Sequence, residues 1–420
     1  MRSNLIAALL GVLCITGCGG GGGGGSSVGA PTSGGTTGGS TTGTSSANVQ
    51  SVTVDSGPSE IASSSSPAVN TLYTTITVCA PGTATCQTID HIQVDTGSSG
   101  LRILASVLTI SLPVFTDSSG QSLAECVQFV DGSSFGPLRK ADLKIASEVA
   151  GNVAVQVIGD PSFPVPSGCM GTAENSVTAF GANGILGVGP FLQDCGSACT
   201  VQGNGIYYSC PTSSTCADTA LALAQQVSNP VAFFPTDNNG VIIQLPEVKG
   251  TAPSVSGSLI FGIGTQGNNG LGTATVFQLT DTGGVGTTYK GNSLADSFID
   301  SGSNAYFFPD SIPTCSTNKG FYCPTQTQSL TGTITGTNSA SASVAFTVAN
   351  ADTLFGSGAT VAAAPALAGS STSVNNTSPS SFDGSKTFDW GLPFYFGRSV
   401  YTAIEGQNTA NGGVGPYFAF

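Results

Sequence analysis

One pattern occurs in both halves of the chain and restricts its fold more than any other feature. Ile92-Gln93-Val94-Asp95-Thr96-Gly97-Ser98-Ser99 places an apolar strand before an Asp-Thr-Gly turn, and Ser297-Phe298-Ile299-Asp300-Ser301-Gly302-Ser303 repeats it. About 90 residues after the first copy stands Gly184-Ile185-Leu186-Gly187-Val188-Gly189, and about 90 after the second stands Trp390-Gly391-Leu392-Pro393-Phe394-Tyr395-Phe396-Gly397. A single Asp-Thr-Gly is ordinary turn chemistry, the carboxylate accepting nearby backbone N–H groups. Two copies, each followed at the same distance by an apolar-Gly element, predict matching halves that meet at a pseudo-twofold axis. Glycine after the aspartate lets the facing loop approach. Thr96 and Ser301 can then hydrogen-bond across the axis, and Asp95 and Asp300 come into contact.

Such contact has a chemical consequence. Two carboxylates about 4 Å apart repel by ~4 kcal/mol at an effective dielectric of ~20, equivalent to roughly three pKa units. They therefore share one proton. The charged member can take a proton from water while the neutral one donates to a carbonyl oxygen, which is hydrolysis without a covalent intermediate. The two titrations belong to the pair, and residue order does not say which aspartate keeps the proton.

Composition narrows the alternatives. Ten Lys and Arg against 23 Asp and Glu, a net charge of −13, cannot supply the cationic stripe that nucleic acid requires. With one histidine, His91, a serine or cysteine triad and multi-imidazole zinc sites have nothing to run through. His91 reads as a surface or supporting residue, and no cofactor or metal is expected. Few charges and many Thr, Ser, Val and Gly predict an all-β fold with few short helices. Alternating segments such as Val49 to Val54 and Tyr73 to Val78 read as strands. The best helix is about Asp218 to Val227; near Arg398 helix and strand are equally allowed. Trp390 and its aromatic neighbours Phe388, Phe394, Tyr395 and Phe396 read as core.

The N-terminus has an export signature: Arg2, an apolar run Leu5 to Val12, then Ile15-Thr16-Gly17-Cys18. This tetrapeptide resembles the bacterial lipobox, in which cleavage precedes a lipid-bearing cysteine; an ordinary signal peptide is the alternative. Gly19 to Gly25 and a Gly/Ser/Thr tract to about Ala47 cannot form a core and read as a tether. The expected layout is a signal at 1–17, a tether at 18–47, a first β lobe at 48–272 and a second at 273–420. The location is the bacterial envelope, at the outer membrane, and the partners are the lipid membrane and a peptide or protein substrate of a monomer. Ten cysteines then remain: Cys79, Cys86, Cys126, Cys169, Cys195, Cys199, Cys210, Cys216, Cys315 and Cys323. An even number in an exported chain predicts disulfides. Cys79 with Cys86 and Cys315 with Cys323 close local loops, the 195/199/210/216 group pairs within itself, and Cys126 is left for Cys169. A metal cluster in that four-cysteine group is the competing reading.

On these motifs residues 70 to 420 resemble the bilobal pepsin-like aspartic proteases. The resemblance is carried by Tyr73 to Val78, Asp95-Thr96-Gly97-Ser98-Ser99, Gly184 to Gly189, Ser256 to Gly262, Asp300-Ser301-Gly302-Ser303 and Phe394 to Phe420. It implies a double β-barrel with Asp95 and Asp300 as the catalytic pair, Thr96 and Ser301 as interlocking hydroxyls, and Ser98 and Ser303 as outer partners of the carboxylates. The chain also looks like an uncharacterised family of bacterial exported lipoproteins sharing Asp-Thr-Gly-Ser-Ser-Gly-Leu-Arg. It departs from the proteases in two places: Arg102 stands where they have a Trp, and the flap candidate Phe129-Val130-Asp131-Gly132-Ser133 has Phe129 in place of a flap tyrosine. Asp131 and Asp142 near that flap read as solvated turn carboxylates. No inhibitory propeptide is expected. The resemblance implies an envelope-tethered aspartic endopeptidase, with a pepsin-fold binding or inhibitor protein as the alternative and a surface adhesion module as a third reading.

Overall fold

The computed structural model describes residues 47–130, 132–356, 360–373 and 383–420. The signal, Cys18, the tether up to residue 46 and Asp131 lie outside the described residues.

In the first half the strands are β1 (Val49–Val54), β2 (Leu72–Cys79), β3 (Cys86–Asp95), β4 (Ser99–Leu104), β5 (Ser122–Gln128), β6 (Ser133–Ile145), β7 (Glu148–Ile158), β8 (Gly184–Val188), β9 (Tyr207–Thr212), β10 (Thr215–Asp218), β11 (Gly240–Leu245) and β12 (Val255–Phe261). Their pairing closes a ring. β2 joins β3, β8, β4, β7 and β6 in turn, and the far end of β6 returns to β2 through Thr77 opposite Lys144. β4 and β8 are buried at every residue, as the walls of a barrel covered on both faces must be. β5, β9 and β10 extend from β6 as a flap of sheet.

The second half contains β13 (Val276–Gln278), β14 (Val285–Tyr289), β15 (Asn292–Ile299), β16 (Tyr306–Phe308), β17 (Gln328–Thr335), β18 (Ser341–Val348), β19 (Ala368–Ser370), β20 (Asp389–Trp390), β21 (Arg398–Ala403), β22 (Asn408–Thr409), β23 (Gly413–Val414) and β24 (Tyr417–Ala419). Seven of these form a sheet in the order β18-β17-β14-β15-β20-β16-β19. At its edge β18 buries Val344, Phe346 and Val348 and exposes the residues between them, the period of a one-sided strand.

The halves share a layer. β1, β12 and β11 pair onto β21, β24 and β13, with Ile242 opposite Tyr401 at the junction. Each lobe repeats one local arrangement: β8 runs parallel to β3 and antiparallel to β4, as β20 does to β15 and β16. The all-β, two-lobed architecture expected from the sequence is therefore present, and the segment at Arg398 is a strand.

Helices are short: α1 (Ser59–Ala62), α2 (Val177–Phe180), α3 (Ala351–Gly356) and a few 3-10 turns. The helix expected at 218–227 is absent. Asp218 ends β10 and accepts the Gly205 N–H at 2.6 Å, the Gln226 side chain donates to Gly196 O and Leu221 O, and only Leu223–Gln225 turns. These side chains hold the chain to its neighbours more strongly than the helix propensity of Ala, Leu and Gln, which is a weak preference, can oppose.

Among the described residues five disulfides join Cys79–Cys86, Cys126–Cys169, Cys195–Cys199, Cys210–Cys216 and Cys315–Cys323. The four-cysteine group pairs within itself, which removes the thiolates that the metal reading needs.

Candidate active site

Asp95 ends β3 and Asp300 follows β15, so equivalent strands of the two lobes deliver the two carboxyls to the axis. Both are fully buried and hydrogen-bonded to each other. Each loop cradles its own aspartate in the same way. Gly97 N donates to Asp95 Oδ1 and Gly302 N to Asp300 Oδ1, both at 2.7 Å. Ser98 Oγ donates to Asp95 Oδ2, and Ser303 Oγ to Asp300 Oδ2 at 3.0 Å.

The loops also lock across the axis. Thr96 N donates to Ser301 Oγ at 3.1 Å and Ser301 N to Thr96 Oγ1 at 3.0 Å, while Ser301 Oγ donates to Val94 O at 2.9 Å. A β-carbon on Gly97 would stand 2.8 Å from the Asp300 carboxyl carbon. Only glycine permits that approach. The apolar-Gly elements serve the same packing from behind: a β-carbon on Gly187 would strike the Ser98–Ser99 backbone, and one on Gly391 would strike Ser303 O. Gly189 N and Leu392 N then hold Ser98 O and Ser303 O at 2.8 and 2.7 Å. Asp95, Thr96, Gly97, Ser98, Asp300, Ser301, Gly302 and Ser303 are thus one connected group.

The electrostatics are less symmetric than the geometry. Burial and the neighbouring Asp95 and Asp389 carboxyls hold Asp300 well above the ordinary carboxylate range. Burial also raises Asp95, but the Asp300 hydrogen bond, Ser98, Gly97 N–H and the Arg102 charge all act against it. Arg102, read from the sequence as a departure from the resembled proteases, is buried on β4 and donates to Ser99 O at 2.9 Å, Glu125 Oε1 at 2.8 Å and Asp194 Oδ2 at 3.0 Å. Tyr207 donates to the same Asp194 at 2.5 Å. Burial and Glu125 push Asp194 well up.

The flap candidates lie at the turn between β5 and β6. Phe129 N donates to Gly132 O at 2.8 Å, and the Phe129 ring is buried against Phe180, 5.9 Å between centroids. The turn is clamped: Ser133 N donates to Thr172 O at 2.8 Å and Glu174 N to Ser133 O at 2.9 Å, while β9 covers the outer edge of β5. The Cys126–Cys169 bridge fastens that clamping segment to β5. On the same side residues 55–71 form a strap between lobes. Ile61 on α1 packs with Phe129 and Phe180, and Asn70 is bonded to Asn304 O and Ala364 O at 2.8 and 2.9 Å and to Ala364 N at 2.7 Å.

Three other residues take the places expected of them. His91 pairs with Asp55 at 3.4 Å and Asp90 at 3.3 Å, Asp142 accepts the Gly82 and Asn152 N–H groups, and Trp390 is core, its indole donating to Thr287 Oγ1 at 3.0 Å. Two site residues escaped the sequence reading. The Tyr395 hydroxyl lies 2.8 Å from Thr96 Oγ1, although Tyr395 read as core alone. Asp389 is buried beside the pair, and its signal was a lone acid inside an aromatic run.

No curated protein matches the chain. The solved structure of an aspartic proteinase from Irpex lacteus is similar at 17% identity, covering 88% of this chain and 96% of that one with a TM-score of 0.48. The family described as "Protein of unknown function (DUF3443)" matches residues 44–420, and the chain belongs to it.

Proposed function

We propose that the protein is an aspartic-type peptide hydrolase in which Asp95 and Asp300 act as one unit to activate water for attack on a peptide carbonyl, tethered to the bacterial envelope through Cys18. The observation that carries this reading is the buried, mutually hydrogen-bonded carboxyl pair, each member cradled by a glycine N–H and a serine hydroxyl. Because the pair works with one proton, turnover falls on both sides of an acidic-to-neutral optimum.

Cleavage of denatured protein or a peptide library across pH 3 to 8 tests it. Asp95→Asn or Asp300→Asn removes nearly all turnover, and the double variant loses little more, since groups that act together are non-additive. A statine-type peptide, resembling the tetrahedral intermediate, binds wild type tightly and either variant poorly. Undiminished cleavage by Asp95→Asn sinks the assignment.

The clamped flap turn favours a second reading, a pepsin-fold binding or inhibitor protein. Wild type that binds the statine peptide and cleaves nothing would support it.

A further inference from the structure

The two hydroxyls that cross the axis do not make equivalent bonds. Ser301 Oγ accepts the Thr96 N–H at 3.1 Å and donates to Val94 O, the carbonyl before Asp95, at 2.9 Å. Thr96 Oγ1 accepts the Ser301 N–H at 3.0 Å, but Ile299 O, the carbonyl before Asp300, is 3.5 Å away. What Thr96 has in addition is the Tyr395 hydroxyl at 2.8 Å. Tyr395 ends the 3-10 turn Leu392–Tyr395, whose first N–H holds Ser303 O at 2.7 Å. One turn of the second lobe therefore grips both loops, its own through Leu392 and the other lobe's through Tyr395. The first lobe has no counterpart: as far past Gly187 as Tyr395 is past Gly391 stands Phe191, which carries no hydroxyl.

The donor in that contact follows from the hydrogens at hand. A hydroxyl has one hydrogen and two acceptor sites. Tyr395 is fully buried, and Thr96 is its one hydrogen-bond partner among the described residues. Were Thr96 to donate to it, the phenol hydrogen would be left buried and unpaired, the more costly arrangement. Tyr395 therefore donates. Thr96 turns its own hydrogen to Ile299 O, and its two acceptor sites take the Tyr395 hydroxyl and the Ser301 N–H. The bond from Tyr395 is much the shorter of the two hydroxyl bonds, so the phenol fixes the Thr96 side chain more firmly than the facing backbone does.

We propose that Tyr395 is a positioning residue whose hydroxyl, acting through Thr96, sets where the first-lobe loop stands across the axis and so the placement of the Asp95 carboxyl against that of Asp300. This rests on the hydrolase reading for its catalytic meaning; the positioning itself does not. Thr96 lies in the chain between Asp95 and the Gly97 N–H that holds its carboxyl, so a drift of Thr96 moves both. Tyr395 and Thr96 are 0% and 1% exposed, too buried to touch a substrate, and any effect on turnover must pass through the pair.

The test compares Tyr395→Phe, which removes one oxygen and keeps the ring, with Tyr322→Phe, which removes another buried phenol bond in the same lobe, to Phe308 O at 2.5 Å. Each lowers the folding equilibrium constant by about fivefold, the net worth of one hydrogen bond. Only Tyr395→Phe lowers kcat, by about tenfold or more toward the ~100-fold that a misplacement of ~1 Å causes, with KM unchanged. On a Thr96→Val background Tyr395→Phe has no further effect on kcat, since it acts through Thr96. Carbon-13 NMR of protein labelled at aspartate carboxyls gives a readout independent of turnover. The two apparent pKa values of the pair move closer together in Tyr395→Phe, because carboxyls set further apart interact less, and stay in place in Tyr322→Phe. Pair titrations in Tyr395→Phe that match wild type, or a loss of kcat that adds in full to that of Thr96→Val, overturn the proposal and leave the hydrolase reading standing. Titrations that converge in Tyr395→Phe, in a protein whose wild type cleaves nothing, support the positioning and defeat the hydrolase reading instead.

Discussion

Gly302, on the loop of one lobe, packs against the carboxyl of Asp95 on the other so closely that a β-carbon would stand 2.5 Å from Oδ1. Gly302→Ala must push the two loops apart. Overpacking of this kind costs about 1–3 kcal/mol, and the loss of turnover should exceed what that destabilisation explains, because the pair is separated. Gly267→Ala, where a β-carbon meets nothing within 4 Å, is the control. Thermal melts and kcat at one pH distinguish the two, and equal behaviour of both variants would contradict the packing account.

Asn70 fastens the strap to the second lobe. Its amide makes three buried hydrogen bonds, to Asn304 O, Ala364 O and Ala364 N. Asn70→Ala leaves those backbone groups unsatisfied, each worth roughly 1–3 kcal/mol when buried. Denaturant unfolding should show a loss of about 3 kcal/mol or more. A change below about 0.5 kcal/mol, the range of an ordinary surface substitution, would mean that the strap is not held there.

Arg102 is the cation bonded to two buried carboxyls, Glu125 and Asp194. Arg102→Met strands Glu125 and Asp194, and breaking a buried pair in this way typically costs ~3–5 kcal/mol. Adding Glu125→Gln and Asp194→Asn to the same chain should recover much of that loss, which a simple cavity would not allow. Unfolding free energies of the single and triple variants decide it.

The pH dependence of stability follows from the direction of the shifts. Asp194, Asp300 and Asp389 lie well above the ordinary aspartate range near 4 when folded. The native state therefore binds more protons than the unfolded state above about pH 4, and stability falls as pH rises through that window. His91, raised mainly by its bond to Asp55, acts in the same sense: its contribution is full below its unfolded value of about 6.5 and is lost as pH climbs through its folded value. Asp55, Asp117 and Asp310 are lowered by their hydrogen bonds and oppose this only below about pH 4. Melting temperature measured from pH 4.5 to 9 should be highest on the acidic side, and a rising profile would refute the assignment.

The proposed anchor has its own test. Detergent-phase partition of cells expressing the full chain should recover wild type in the detergent phase and Cys18→Ala in the aqueous phase. Equal partition of both would rule the lipid out.

What the residue order determined by itself was local. A strand ending in Asp-Thr-Gly or Asp-Ser-Gly, an apolar-Gly element after it, and cysteines a few positions apart are each specified within a short stretch of chain, so the duplicated halves, the pairing of Asp95 with Asp300 and the disulfides were legible. Even the one long-range bridge, Cys126–Cys169, was reached by exhausting the local ones. Tertiary structure decided the rest. Thr96 meets Tyr395 across 299 positions and Asn70 meets Ala364 across 294, and no periodicity reports such neighbours. The 218–227 segment has helix composition, yet the side chains of Asp218 and Gln226 bond to other loops, and contacts outside the segment overrode its propensity. Asp389 and Arg102 are ordinary charged residues in sequence. Only burial in equivalent positions of two folded lobes removes their water and makes an acid behind one aspartate and a cation behind the other differ in consequence.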